Sequence, residues 1–516
     1  MDGSGSGKSS AFSIPNAFQC LGSYVFTDPK GELYDKTAGY LKSQGYDIKI
    51  LNLVRPQYSD GYNPLMNITS SLDVDVIANT VVKGQATEGK SDPYWDDMAE
   101  MLLKALIYYL LATRPEAEQN LASCSELVRA ANSSGGSNLL TDLMNQLPYD
   151  HPARMNYKSI EIAPEKTYGS ILSSLQSKLG KFDSQEIAEV TSTNTIDFKE
   201  IGKRKTAVYV VSSDTHGAYD FLLTIFFAQM IQQLYDFADE CGGGLPVPTY
   251  FILDEFSNIG RIPDFDKKIS TSRSRRIQFS VILQNLDQLE AIYEKSYETI
   301  MGNCDTHVFL GSNSQKTVEY FSKALGEKTI GRDSMSVSRD KQMNRQGYNE
   351  SDQIMARALL TPDELRRFDN DMCIIFEKGI KPVKAKKFYY FNYPTMARKL
   401  QMTQMSHNEI GDIDRGVWRK FNPYNPYVEE KVDLQKQDLK VESLDDLFDE
   451  VPEKPSINKK KETVKVEVPT IENTKKVTKV EAPILPQEEE PFSEDIQKEL
   501  EAKFDELFGP IDDNEE

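Results

Sequence analysis

At 516 residues, with 39% hydrophobic side chains, the chain has room for two to three domains and enough apolar mass to fill their cores. Five widely spaced cysteines without a CxxC pair and four histidines without metal-ligand spacing suggest neither a disulfide scaffold nor a zinc site, which fits a reducing cytoplasm. The formal charge of −20 is uneven: residues 428–516 hold 27 acidic and 13 basic side chains, net −14, leaving −6 on the body, so bulk charge neither announces nor excludes a basic groove.

The first nine residues, MDGSGSGKS, hold most of a phosphate-binding loop. Gly3, Ser4, Gly5, Ser6 and Gly7 let backbone N–H groups curl around phosphates, Lys8 reaches the β/γ-phosphates, and the Ser9 hydroxyl faces Mg²⁺. The full pattern has glycine where Asp2 stands. A Gly/Ser tag has similar composition, but Lys-Ser followed by an apolar run favours the loop. Such a loop ordinarily follows a buried strand, and no residues precede Met1 to form one, so the chain reads as N-terminally incomplete relative to a folded nucleotide domain.

AFSIPNAFQ then reads as the helix carrying the phosphate site, broken by Pro15, with SYVFTDPKGE a strand ending in a turn. YLKSQGYDIKILNL is helix then strand, and this alternation predicts a parallel sheet with helices on both faces. From about Ser91 to Thr193 the pattern changes to helical spacing, in DDMAEMLLKALIYYLLAT, CSELVRAAN, NLLTDLMNQL and SILSSLQSKLGKF. We read an inserted all-alpha domain at 91–193 between two parts of one α/β domain, 1–90 and 194–427. No apolar run approaches the ~20 residues of a membrane span, since Lys104 cuts MLLKALIYYLLAT, and no signal peptide is evident.

Alternation resumes with strands TAVYVVSS, PTYFILDEF, RIQFSVILQ and THVFLGS of a nucleotide-hydrolase sheet, and helices YDFLLTIFFAQMIQQLYDFADE and LDQLEAIYEKSYETIMGN between them. MCIIFEKGIKPVKAKKFYYF (372–391) reads as two extended runs around Lys378-Gly379, a hairpin at the sheet's edge. Residues 428–516 form an acidic tail, most of it up to 485 a disordered linker. SLDDLFDEV (443–451) and KFDELFGPI (503–511) share an acidic-Leu-Phe pattern, and Ile496, Leu500, Phe504 and Leu507 lie on one helical stripe. These are partner-docking motifs, a helix packed back on the body, or a chance similarity, since short acidic motifs recur by composition alone.

The second half of a nucleotide site is FILDEF: a buried apolar strand runs into Asp254 and Glu255, suited to holding Mg²⁺ and to polarising the attacking water respectively. The next strand, SVILQ, ends in Gln284, which either senses the γ-phosphate or caps a helix. In STSRSRR (270–276), Arg273, Arg275 and Arg276 either reach the phosphates of a neighbouring subunit's nucleotide or form a solvated basic turn.

DPKGE (28–32), YNPL (62–65), ILDEFSNIGRIPDF (252–265), the following SRSR and FSVILQNLDQL, and LLTPDEL (359–365) together resemble the type IV coupling proteins, conjugative DNA-transfer ATPases of the TraG type. The resemblance spans about residues 3–392. It implies a RecA-like P-loop motor interrupted by an all-alpha domain. The implied activity is an ATPase, with ATP and Mg²⁺, assembled as a ring, a hexamer in the family, on the cytoplasmic face of the cell membrane. There it pumps single-stranded DNA with its relaxase into a type IV secretion channel. By position, Gly3 to Ser9 correspond to the Walker A loop, with Lys8 on the phosphates and Ser9 on Mg²⁺. Asp254 and Glu255 correspond to the Walker B pair and Gln284 to the motif after it; from the STSRSRR turn, Arg273 is counted with Lys8, Glu255 and Gln284 among the catalytic residues. Asp2, and the absence of the preceding strand and of the family's N-terminal membrane helices, are departures from the pattern. Two other readings are a double-stranded DNA pump of the FtsK or HerA type, which the helical insertion and DPKGE argue against, and a hydrolytically silent docking protein acting through its tail.

Overall fold

The computed structural model describes residues 7–83, 93–131, 138–213, 217, 219–339, 346–411 and 413–426. Gly3 to Ser6 of the phosphate loop and both acidic-Leu-Phe motifs of the tail lie outside the described residues. The chain divides into units Met1–Glu430 and Lys431–Glu516, and the description concerns the first.

Five strands, β1 (Ser23–Thr27), β2 (Asp47–Asn52), β3 (Thr206–Val211), β4 (Thr249–Leu253) and β5 (Ile277–Val281), form one sheet in the order β2-β3-β1-β4-β5. All four pairings are parallel. The central strands β1 (SYVFT) and β3 (TAVYVV) are buried at every residue, as near-continuous apolar runs covered on both faces must be. Side chains alternate between two cores. Tyr24, Phe26, Tyr209 and Ile252 pack under the helices Ile14–Phe18 and Glu32–Ser43. Val25, Val208, Val210, Phe251 and Leu253 face the helix Asp220–Glu240. The result is the expected RecA-like arrangement, an α/β fold with helices on both faces of a parallel sheet.

Between β2 and β3 every described element is helical. The helix Pro93–Thr113 buries Leu102, Leu103, Leu106, Ile107 and Leu110 against the helices Ser71–Lys83, Pro152–Glu161 and Glu165–Leu179. This apolar interior is continuous with the sheet face under Asp220–Glu240. YNPL is one of the joints. Fully buried Tyr62 donates to Gln229 Oε1 at 2.6 Å and meets Phe226 edge-on at 4.8 Å, while Gln229 Nε2 donates to the Pro64 carbonyl.

Four local expectations differ from the structure. Pro15 does not break its helix: a π-turn, Ser9–Ser13, leads into Ile14–Phe18, and proline falls in the first turn of that α-segment, where its missing N–H costs nothing. The helix expected over 286–303 is interrupted at Glu294, whose φ of 46° separates Leu286–Tyr293 from Tyr297–Gly302. THVFLGS supplies β6 (Thr306–Phe309), which leaves the parallel sheet. Only Phe309 of its four side chains is buried, the one-sided pattern of an antiparallel strand. The chain continues through β7 (Glu327–Arg339) and β8 (Gln346–Ala358), an antiparallel pair, to β9 (Met372–Glu377) and β10 (Val383–Lys386). The hairpin around Gly379 forms as read, but β6 pairs with β9 in a separate sheet, β10-β9-β6. FYYF is not part of β10: the strand ends at Lys386 and the aromatics enter a 3₁₀ turn, Tyr390–Asn392.

Candidate active site

The site gathers where β1, β4 and β5 end, the edge at which parallel α/β sheets bind ligands. Gly7 has φ 75°, a left-handed conformation open to glycine without strain, and from there Lys8 and Ser9 enter the first helical turn. Ser9 Oγ lies 3.4 Å from Asp254 Oδ2. The Asp254 backbone is fixed from beside it, since Thr27 Oγ1 at the end of β1 donates to its carbonyl at 2.6 Å. Burial pushes the Asp254 carboxyl above its usual range, while the Lys8 ammonium works against that and the Glu255 charge adds to it. Two hard oxygens, a hydroxyl and a largely buried carboxylate, beside a lysine form a donor set suited to Mg²⁺, which takes one or two protein oxygens and completes its octahedron with phosphate and water.

Glu255 departs from ordinary backbone geometry, with φ 50° and ψ 49°. A non-glycine residue held in the left-handed region costs of order 1 kcal/mol or more, and such strain concentrates at functional sites. Here it is held by Phe256 and Ile259, both buried, and by the Phe256 N–H donating to the Ile282 carbonyl at 3.1 Å. The turn aims the Glu255 carboxylate at the end of β5. Gln284 Nε2 donates to Glu255 Oε1 at 3.3 Å, and Asn258 Nδ2 donates to Oε2 at 3.2 Å. Asn258 and Thr27 were not among the residues singled out from sequence. Asn258 follows Glu255 by three residues in LDEFSNIG, a spacing at which an Asn amide reaches back to a carboxylate once the chain turns, and that turn carried no glycine or proline signal.

The three arginines of STSRSRR separate by environment. Arg276 has φ 60° and donates to the Leu245 and Pro246 carbonyls. Arg275 pairs with Asp239 at 3.0 Å and lies over the Tyr235 ring. Arg273 is 94% exposed, with Asp305 3.9 Å away. Two serve the fold of the turn, and Arg273 projects into solvent.

The other motifs are turn chemistry around this edge. In DPKGE, buried Asp28 accepts from the Tyr34 N–H at 2.8 Å, and Gly31, φ 73°, caps the helix Glu32–Ser43. LLTPDEL contains a capping box in which Thr361 and Glu364 satisfy each other's backbone N–H groups at the start of Pro362–Arg366.

A five-stranded parallel sheet with a Gly-Lys-Ser turn entering a helix beside an Asp-Glu pair defines a P-loop nucleotide-hydrolase fold of the RecA-like class. The chain belongs to the type IV secretory system conjugative DNA transfer family, whose model matches residues 1–412. It is similar to the protein VirD4 of Rhizobium radiobacter, 26% identical over 415 residues that cover 76% of this chain and 56% of that protein. Similarity to the conjugal transfer protein TraG of Escherichia coli is 26% over 432 residues, 76% of this chain and 67% of the other. The chain therefore spans roughly half to two thirds of the curated relatives it matches. Its fold is similar to that of the unbound bacterial conjugative coupling protein TrwBdeltaN70, with a TM-score of 0.53 at 18% identity over 74% of this chain and 82% of that one.

Proposed function

We propose that this chain is the ATP-driven motor of a conjugative coupling protein, which recruits single-stranded DNA with its relaxase and moves it into a type IV secretion channel. The observation that carries the reading is the convergence of Ser9, Asp254, Glu255 and Gln284 at one edge of the sheet, together with membership of the conjugative DNA transfer family. In this mechanism the backbone from Gly3 to Gly7 and the Lys8 ammonium hold the ATP phosphates, and Ser9 and Asp254 hold Mg²⁺. Bound Mg²⁺ supplies charge neutralisation on the β- and γ-phosphates. Glu255 accepts the proton of the attacking water, and Gln284, hydrogen-bonded to that carboxylate at the end of β5, would sense the γ-phosphate of a bound nucleotide. Arg273, the exposed arginine of its turn, acts on the nucleotide of a neighbouring subunit in a ring of copies, a hexamer by analogy with the family.

The helical region 91–193 is proposed as an inserted domain that selects the relaxase–DNA substrate, and the acidic tail as a ligand for basic partner proteins. The site of action is the cytoplasmic face of the cell membrane. Among the described residues no helix is long and apolar enough to cross a membrane, so that placement rests on the family resemblance. The test is ATP turnover by the purified chain with and without single-stranded DNA. Mg²⁺-dependent hydrolysis stimulated by single-stranded rather than duplex DNA is expected. Absence of any turnover with DNA present would leave a docking protein instead.

A further inference from the structure

We infer that the aromatic segment 388–393 is a stacking platform for the base of the nucleotide held by the phosphate loop, with Phe391 its contact surface. This rests on the nucleotide-binding reading above and assigns the part of the site that reads the base.

Five of the six residues FYYFNY are aromatic, and three of them are open to solvent: Phe388 at 42%, Phe391 at 55% and Tyr393 at 45% exposure. Isolated exposed aromatics need no explanation, but these are ordered into near-parallel pairs. Tyr389 and Phe391 stack at 5.1 Å with planes 20° apart, and Phe388 and Tyr393 at 4.1 Å and 18°. The segment is anchored at both ends. Lys387 is buried with Nζ donating to the Leu310 carbonyl, and the helix Pro394–Met402 packs on Glu32–Ser43 through buried Leu400. The rings are therefore set in place before any ligand arrives.

Position identifies the occupant. Tyr389 lies directly against the phosphate loop: a Cβ at Gly7 would sit 2.7 Å from Tyr389 Cε1. The 3₁₀ turn Tyr390–Asn392 packs beside the π-turn Ser9–Ser13 that follows Lys8. A nucleotide whose phosphates rest at Gly7–Ser9 carries its base only a ribose away. Phe391 is stacked on Tyr389 and open to solvent, so one more flat ring laid on it extends an existing column. Every base offers a π-face, so stacking supplies affinity for a nucleobase with little discrimination among bases.

The experiment is calorimetric titration of the full chain with Mg-ATP, Mg-GTP and Mg-tripolyphosphate, the last having phosphates and no base. Phe391→Ala should weaken ATP and GTP about tenfold, within the range of base–aromatic stacking, and leave tripolyphosphate unchanged, while Phe391→Trp restores ATP affinity. Phe391 is exposed, so neither variant removes core. Equal loss of ATP and tripolyphosphate would make the platform a brace for the loop and overturn the proposal. Unchanged ATP affinity with weakened single-stranded DNA binding would assign the rings to DNA and overturn it as well. A wild-type chain that bound neither ATP nor tripolyphosphate would overturn the phosphate-loop reading and the platform with it, whereas tripolyphosphate binding equal to that of ATP would overturn the platform alone.

Discussion

The side-chain amide of Gln284 donates to Glu255 Oε1 across 3.3 Å, tying together the residues that follow two adjacent parallel strands, β4 and β5. Asn258 holds the other oxygen, so the carboxylate assigned to the attacking water is oriented by two amides at once. Glu255→Gln should keep ATP binding within about threefold and lower turnover at least a hundredfold, the scale of a lost general base. Gln284→Glu sets a second carboxylate against the first, and like charges disfavour ionisation. The acidic limb of its pH–rate profile should move to higher pH. A profile identical to wild type would remove Gln284 from the site.

Arg273 and Arg276 predict opposite phenotypes from the same turn. Arg273→Ala should leave folding and nucleotide affinity unchanged and cut the turnover of the assembled protein about a hundredfold or more, if its guanidinium reaches a neighbour's phosphates. Arg276→Ala strips a charged donor from two carbonyls and should cost about 1–3 kcal/mol in urea unfolding, without a specific effect on turnover per folded molecule. Exchanged outcomes would mean that the trans role belongs elsewhere.

How much of this was legible depends on how local the cause is. Fully buried strands such as β1 and β3 announce themselves, because a parallel sheet covered on both faces needs continuous apolar runs. The Asp254-Glu255 pair was legible for the same reason, as two carboxylates ending such a run. The sheet to which β6 belongs was not, since its partner β9 lies beyond the β7–β8 pair and pairing is a tertiary choice. Nor was the hold of Asn258 on Glu255, which exists because a left-handed residue without glycine turns the chain there. The FYYF rings read as the end of a strand, since aromatics favour strands in general, and only the 3₁₀ turn after Lys386 turns them toward the loop.

Tyr62 of YNPL is a structural residue by its contacts, and that is testable separately from function. Tyr62→Phe keeps the ring against Phe226 and removes the hydroxyl that donates to Gln229 Oε1, leaving a buried acceptor without that donor. Stability should fall by about 1–3 kcal/mol. Nucleotide affinity of the folded protein should not change. A change in affinity at full folding would give this motif a role in the site.

Asp28 of DPKGE makes stability depend on pH in an unusual direction. It is buried at the end of β1, and burial pushes its carboxyl up to about 6, against the backbone hydrogen bonds of the Tyr34 turn and the nearby His407. In the unfolded chain an aspartate titrates near 3.9. Between roughly pH 4 and pH 6 the folded protein therefore holds a proton that the unfolded chain has released, and this contribution to stability is lost as pH rises through that window. Above it, folding carries a buried charge at a cost of about 3 kcal/mol. Asp28→Asn keeps a carbonyl to accept from the Tyr34 N–H and does not ionise. It should raise the urea midpoint at pH 7.5 and lose that advantage by pH 4. Other groups titrate alike in both proteins, so the difference between the two midpoints isolates this carboxyl. A difference independent of pH would mean that Asp28 keeps the same charge in the folded and unfolded chains.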